Sequence, residues 1–377
     1  TLNGSTYGTA YAYAYANLDD DGTGMSLGPI TVEATAINNA DNASSATAYA
    51  YLYVNANGGS LTINGDVLVS ADAEQNAPTS GDSTTYAYAY ANLYAWNNIT
   101  VDGNITVEAI AINNAYSASS ATAYAYLYAT AQWGSLTVNG DILVSAYALE
   151  NGPSNGTEEA YAYAYADLDA GSNIDLNGNV TVEATAINND YSASEATAYA
   201  YLYATAGGDL LVTGDILVSA YAEQTGASAS SPVYAYASAD LDAGDDIDLN
   251  GNVTIEATAL NTANNYYGGS ATAFAYLYAT AGGDITIAGN TLVTADATLN
   301  GSASWGGDAF AYALADFDDG GFAMSFGPIT VEATAINNAS NASGATASAY
   351  LFANANGGNL TINGDVLVSA DAEQNAP

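Results

Sequence analysis

The chain has 377 residues, of which 40 are Asp or Glu and none is Lys, Arg, His or Cys, giving a formal net charge of −40. Without Lys or Arg it cannot displace the counterions of a nucleic acid or adhere to an anionic membrane surface. Without His, Lys or Cys it has no imidazole bases, amine nucleophiles, disulfides or thiolate zinc ligands.

In chain order the first strong signal is a run in which aromatic residues alternate with Ala. It recurs ten times, and the middle aromatic residue is Tyr in every copy: Tyr13, Tyr51, Tyr88, Tyr126, Tyr163, Tyr201, Tyr236, Tyr276, Tyr312 and Tyr350, spaced 35 to 40 residues apart. A fixed period of this length marks a repeat array. Two coils of different flavour make a unit, and the single repetitive solenoid over residues 1–377 divides into units at 6–83, 84–159, 160–232, 233–307 and 308–377. The segment Met25-Ser26-Leu27-Gly28-Pro29 returns 299 residues later as Met324-Ser325-Phe326-Gly327-Pro328, and Thr1-Leu2-Asn3-Gly4-Ser5 returns at Thr298–Ser302. The stretch therefore reads as cut from, or processed out of, a longer array. The longest apolar-looking runs, such as residues 48–54, fall far below the roughly 20 residues a membrane helix needs, so no membrane insertion is expected.

Residues 160–190 give the cleanest coil. Strict alternation predicts strands over 160–168, 173–176 and 179–186, with no 3.6-residue period. Asn177-Gly178 marks a turn, repeated at Asn64-Gly65, Asn139-Gly140, Asn250-Gly251 and Asn363-Gly364. A polar stretch such as Tyr191-Ser192-Ala193-Ser194 returns the chain to the next coil. Parity fixes the faces. Val180, Val182, Ala184 and Ala186 share one side and Thr181, Glu183 and Thr185 the other, so the Thr/Glu side looks outward. In residues 46–57 Tyr keeps company with Thr and Asn, which puts Tyr outside and Ala in the core. The expectation is an all-β parallel β-helix of about ten coils of roughly 37 residues, three strands each.

Charge placement agrees with stacking in register. Glu33, Glu108, Glu183, Glu256 and Glu332 alternate from coil to coil with Ser70, Ser145, Ser219, Thr294 and Ser369. Alternation moves like charges from about 4.8 Å apart to about 9.6 Å, near the screening length in ~0.1 M salt.

The segments Gly58-Gly59-Ser60-Leu61-Thr62-Ile63-Asn64-Gly65-Asp66-Val67-Leu68-Val69-Ser70-Ala71 and Gly282-Gly283-Asp284-Ile285-Thr286-Ile287-Ala288-Gly289-Asn290 resemble coils of secreted parallel β-helices. They look most like the β-solenoid shafts of filamentous-haemagglutinin-type adhesins. That resemblance implies an extracellular fibre or adhesin shaft and transfers no active-site residues.

Among candidate sites the Tyr columns lead, because an aromatic face this long exceeds the few hundred Å² of apolar patch usual on a monomer. Acidic turns come second: Asp19, Asp20 and Asp21, then Asp240, Asp242 and Asp246, offer oxygen-only ligands of the kind Ca²⁺ takes. Asn42, Asn98, Asn155, Asn338 and Asn341 head glycosylation sequons in or near turns. Carboxylates that recur at one position in every unit are an architectural pattern, whereas a catalytic site is unique, so no enzyme activity is expected. The sequence thus points to a structural subunit of an extracellular or cell-surface filament, sheath or fibre. Its partner is itself, laterally through Tyr and end to end through coil stacking. The alternative is an adhesin stalk whose aromatic strip binds polysaccharide.

Overall fold

The computed structural model describes residues 1–4, 8–41, 43–76, 83–116, 118–152, 159–189, 195–226, 232–262, 269–301, 306–321, 323–341 and 343–375. The polar return at Tyr191–Ser194 lies outside the described residues, as do the sequon residues Asn42 and Asn155.

Among the described residues three parallel sheets run the length of the molecule, one of 11 strands and two of 10. Each coil contributes one strand to each sheet in a fixed order: a long tyrosine strand, a short edge strand and a glutamate strand. In the reference coil these are Glu159–Ala170, Ile174–Leu176 and Val180–Asn188. The fold is a parallel β-solenoid, with ten rungs in the tyrosine sheet and so about nine turns from first to last. At about 4.8 Å per rung the ten rungs span roughly 48 Å. Among the described residues no helix is long and apolar enough to cross a membrane.

Parity holds through the interior rungs, with the outward Thr197, Ser238 and Leu314 buried as well. Ala46, Ala48, Ala50, Leu52, Val54 and Ala56 are buried in one wall, and Val180, Val182, Ala184 and Ala186 in the wall opposite. The edge strands are too short to form a third broad wall, so the cross-section is a wedge with the tyrosine and glutamate sheets facing each other. Residue size follows the taper. At the wide end, beside the edge strand, the core holds Leu168, Ile174, Leu176, Val180 and Val182; towards the apex it narrows to Ala160, Ala162, Ala184 and Ala186. Each buried Val, Leu or Ile supplies about 1.5–3 kcal/mol, while the Ala-lined part lets the walls approach closely.

At the apex the glutamate strand runs two residues beyond the predicted end, and parity there buries a polar side chain. Asn38, Gln75, Asn113, Glu150, Asn188, Gln224, Asn261 and Asn337 are all fully buried. The Asn members tie the two walls together: Asn113 Nδ2 donates to Ser83 O at 2.8 Å and Ser120 O at 3.1 Å, and its Oδ1 accepts from Ala115 N at 3.2 Å. Asn337 Nδ2 bridges Gly307 O and Gly344 O, each at 2.7 Å. Where the two walls converge, backbone groups leave their ladders, and a buried amide supplies the partners they need. One position on, an outward Asn ladder runs along the same edge, with Asn39, Asn76, Asn114, Asn151 and Asn189 each donating to the rung before at 2.8–3.0 Å.

The Asn-Gly corners are real bends; Gly65 takes a positive φ of 139°, while at the later corners the glycine is required by axial contact. A Cβ on Gly178 would sit 2.4 Å from Gly140 O, and one on Gly214 would sit 2.4 Å from Gly178 O. Neither has a positive φ. Stacked rungs simply leave no room for a side chain there.

Register confirms the charge alternation. Glu108 lies between Ser70 and Ser145, Glu183 between Ser145 and Ser219, and Glu256 between Ser219 and Thr294. The corner alternation of Asp66, Asn104, Asp141, Asn179, Asp215 and Asn252 has a second role. Each side-chain oxygen accepts the backbone N–H of its successor at 2.7–3.0 Å. Asn and Asp do this equally well, so the rods can place a carboxylate on every second rung only. The opposite corner departs from the rule: Asp209, Asp246 and Asp284 are consecutive, with Asp209 accepting from Asp246 N and Asp246 from Asp284 N.

Candidate functional site

The outer surface of the tyrosine sheet is built by strands of 12–14 residues whose inward positions are almost all Ala or Leu. Residues on one side of a strand are about 6.6–6.8 Å apart, and the three outward rings of one strand stand parallel. Within a rung neighbouring ring centroids lie 6.0–6.4 Å apart at interplanar angles of 7–15°.

Successive rungs are not in line. The register sets Tyr13 opposite Tyr49 and Tyr15 opposite Tyr51, with Tyr11 opposite Thr47 and Tyr53 opposite Asn17. Aromatic triplets on alternate rungs are therefore displaced by two residues. The ten middle tyrosines occupy two neighbouring strand positions in alternation, yet their rings lean together. From Tyr13 through Tyr51, Tyr88, Tyr126, Tyr163, Tyr201, Tyr236, Tyr276 and Tyr312 to Tyr350 every consecutive pair is in contact. Centroid distances are 5.1–5.6 Å and tilts 34–44°. Parallel rings within a rung and tilted rings between rungs make a herringbone, which turns ring edges towards ring faces as the aromatic quadrupole favours, at about 0.5–1.5 kcal/mol per pair. The two-coil unit is what allows the stagger.

Neighbouring rungs cover these rings. Tyr11, Tyr13 and Tyr15 in the first rung are 62%, 55% and 53% exposed, whereas their counterparts in interior rungs are half-buried. Burial, and then the neighbouring phenols, push the hydroxyls of Tyr51, Tyr163 and Tyr234 up to about 12. Tyr126 and Tyr201 move the same way for the same reasons. At neutral pH the face is an uncharged layer of phenols on a strongly anionic rod. Acids stand at its margin: Asp167 lies opposite Tyr128 and Tyr203, and Asp240 opposite Tyr203 and Tyr278. Burial raises the Asp240 carboxyl, with Asp242 adding to the shift.

Asp19 and Asp20 end the first tyrosine strand; Asp19 and Asp21 accept from Asn57 Nδ2 at 2.9 and 3.2 Å, and Asp20 accepts from Gly22 N at 3.0 Å. Asp240 and Asp242 lie outward on the strand Pro232–Ala243, while Asp246 belongs to the corner ladder. Among the described residues no group of three or more acidic side chains is disposed to hold a metal ion. Asn98 and Asn338 are exposed and already engaged: Asn98 Oδ1 accepts from Ser135 N at 2.9 Å, and Asn338 Nδ2 donates to Asn300 Oδ1 at 2.6 Å. Asn341 is exposed in a turn. Sequence reading passed over Trp96 and Trp133, 46% and 66% exposed and 6.3 Å apart on successive rungs beside the tyrosine sheet. Their separation of 37 residues is one coil, and that spacing is the signal that could have found them.

Comparison with models of protein families, with curated proteins and with solved structures returns no match to this chain.

Proposed function

We propose that the chain is a non-enzymatic structural subunit of an extracellular or cell-surface filament, sheath or fibre. It associates laterally through its tyrosine face and end to end by continued rung stacking. The observation that carries this reading is the unbroken chain of ring contacts from Tyr13 to Tyr350. It is a continuous, neutral, half-exposed aromatic surface on a chain of net charge −40, where self-repulsion would otherwise keep copies apart. The absence of trypsin sites and the likeness to secreted adhesin shafts favour a place outside the cell.

An adhesin stalk with a polysaccharide-binding strip is the competing reading. Sugar rings stack on flat, coplanar aromatic faces, and the tilts of 34–44° between rungs divide this surface into edges and slopes. Electron microscopy of the purified chain, with and without added glycans, separates the two. Fibres or sheets formed from protein alone support assembly. Rods that stay dispersed but bind glycan replace it with the adhesin reading.

A further inference from the structure

The tyrosine sheet and the glutamate sheet are the two broad walls of the wedge, so their outer surfaces point in opposite directions. A contact of tyrosine face on tyrosine face is isologous and closes at a dimer. A contact between opposite faces is heterologous and propagates. Lateral growth through a single kind of contact therefore requires a face other than the tyrosine face to receive the phenols, and the outer surface of the glutamate sheet is the other broad wall.

That surface has the right chemistry and period. On every second rung an outward, half-buried Leu stands at the start of the strand: Leu68, Leu143, Leu217 and Leu292. Shallow hollows lie over two of them. One is lined by Thr106, Asp141, Leu143 and Thr181, and the next, two rungs on, by Thr181, Asp215, Leu217 and Thr254. Two residues further along the strand, small Ser145 leaves a gap between Glu108 and Glu183, and Ser219 leaves the same gap between Glu183 and Glu256. Hollow and gap are thus about 6.6–6.8 Å apart, close to the 6.0–6.4 Å between neighbouring rings of one rung. Both walls hang on one backbone, so the two-rung repeat of the hollows and the two-rung repeat of the aromatic triplets are the same length.

The donor–acceptor match is equally direct. A chain without Lys, Arg or His side chains has hydroxyl, amide and three indole donors to offer its carboxylates across an interface, and a phenol is the strongest hydroxyl donor among them. The molecule already makes this bond internally: Tyr221 Oη donates to Glu223 Oε2 at 2.7 Å, and Tyr165 Oη to Asp167 Oδ2 at 3.4 Å.

We propose that the tyrosine face of one rod seats on the glutamate face of a second copy. Its rings fill the hollows over Leu143 and Leu217, and its phenol hydroxyls donate to Glu108, Glu183 and Glu256. This rests on the reading of the chain as a self-assembling subunit and specifies which two surfaces meet.

Because the chain has no Cys, introduced thiols report contacts cleanly. Rods carrying Tyr163→Cys are mixed with rods carrying Ser145→Cys under mild oxidation; both positions face outward. Mixed disulfide dimers from assembled material, well above the yield of Tyr163→Cys alone, support the proposal. Equal yield from Tyr163→Cys alone means that tyrosine faces pair with each other, and overturns it while leaving assembly intact. Assembly without either disulfide also overturns it. No assembly of the unmodified chain overturns the underlying reading and this proposal together. A second variant reads the sign: Glu108→Ala/Glu183→Ala/Glu256→Ala removes three negative charges, which would promote assembly if these groups only repelled. The proposal requires the opposite, a critical concentration raised at least about tenfold, equivalent to about 1.4 kcal/mol.

Discussion

Replacing Asn113 by Ala tests the apex, where the sequence gives least warning of what holds the walls together. Asn113 is fully buried and serves three backbone groups: Ser83 O, Ser120 O and Ala115 N. Truncation removes all three partners at once. Two of these bonds are buried and one is part-buried; a buried group deprived of its partner costs about 1–3 kcal/mol, so the loss is roughly 3–5 kcal/mol. The control is its immediate neighbour. Asn114 is exposed, donates to Asn76 Oδ1 at 2.9 Å and accepts from Asn151 Nδ2 at 2.8 Å. Water replaces those partners, and Asn114→Ala costs about 1 kcal/mol. Because each rung depends on its neighbours, native-state hydrogen exchange is the assay, read at the amides of Ile105–Asn113 and Ala118–Ala131. Asn113→Ala should speed exchange there far more than Asn114→Ala. Equal effects, or a larger effect at Asn114, would refute the assignment of the inward ladder as the structural one.

Three further outcomes follow from the same geometry. Ser145→Glu places carboxylates on three successive rungs with Glu108 and Glu183, adding two contacts at about 4.8 Å worth about 1–2 kcal/mol in total; thermal melting should fall, recover in high salt, and be unmoved by Ser145→Gln. Gly178→Ala puts a Cβ 2.4 Å from Gly140 O and should cost about 1–3 kcal/mol by overpacking, so an unchanged melting temperature would contradict the axial-contact account. Burial raises the carboxyls of Asp72, Glu159, Asp240 and Asp296 above their ordinary values. A raised folded pKa contributes stability that is complete below the unfolded value, about 4, and is lost as pH rises through the folded value. The rod should therefore melt higher near pH 4 than at pH 7, and a lower melting temperature in acid would count against it. The phenols behave likewise in alkali, their contribution fading between about 10 and about 12.

Most of the fold was legible because alternation is a strong signal and the array repeats it. Parity alone put Ala164 and Val182 inside and Tyr163 and Glu183 outside, and register confirmed the Glu/Ser alternation. The same rule, carried two residues past Ala186, places Asn188 in the core. That was not read, because a polar residue at a strand end ordinarily signals a turn. The stagger of the aromatic triplets was not legible either. Counting from the middle Tyr aligns Tyr13 with Tyr51, whereas backbone pairing is set by the whole strand and by its corners, and it chose Tyr49. Side-chain lean then restored the ring contact that counting anticipated. The acidic turns promised a cluster because composition gathers Asp240, Asp242 and Asp246 in seven residues; the path from strand to corner leaves Asp240 and Asp242 on the strand and puts Asp246 in the corner ladder.

The claim on which the function stands is that the tyrosine face drives association. Tyr126→Ser/Tyr163→Ser/Tyr201→Ser interrupts the ring chain at its centre and leaves the Ala-lined core untouched. Electron microscopy of the parent chain and this variant, matched for β-sheet content by circular dichroism, should show extended assemblies for the parent and separate rods for the variant. Intact bundles formed by the variant would contradict the account.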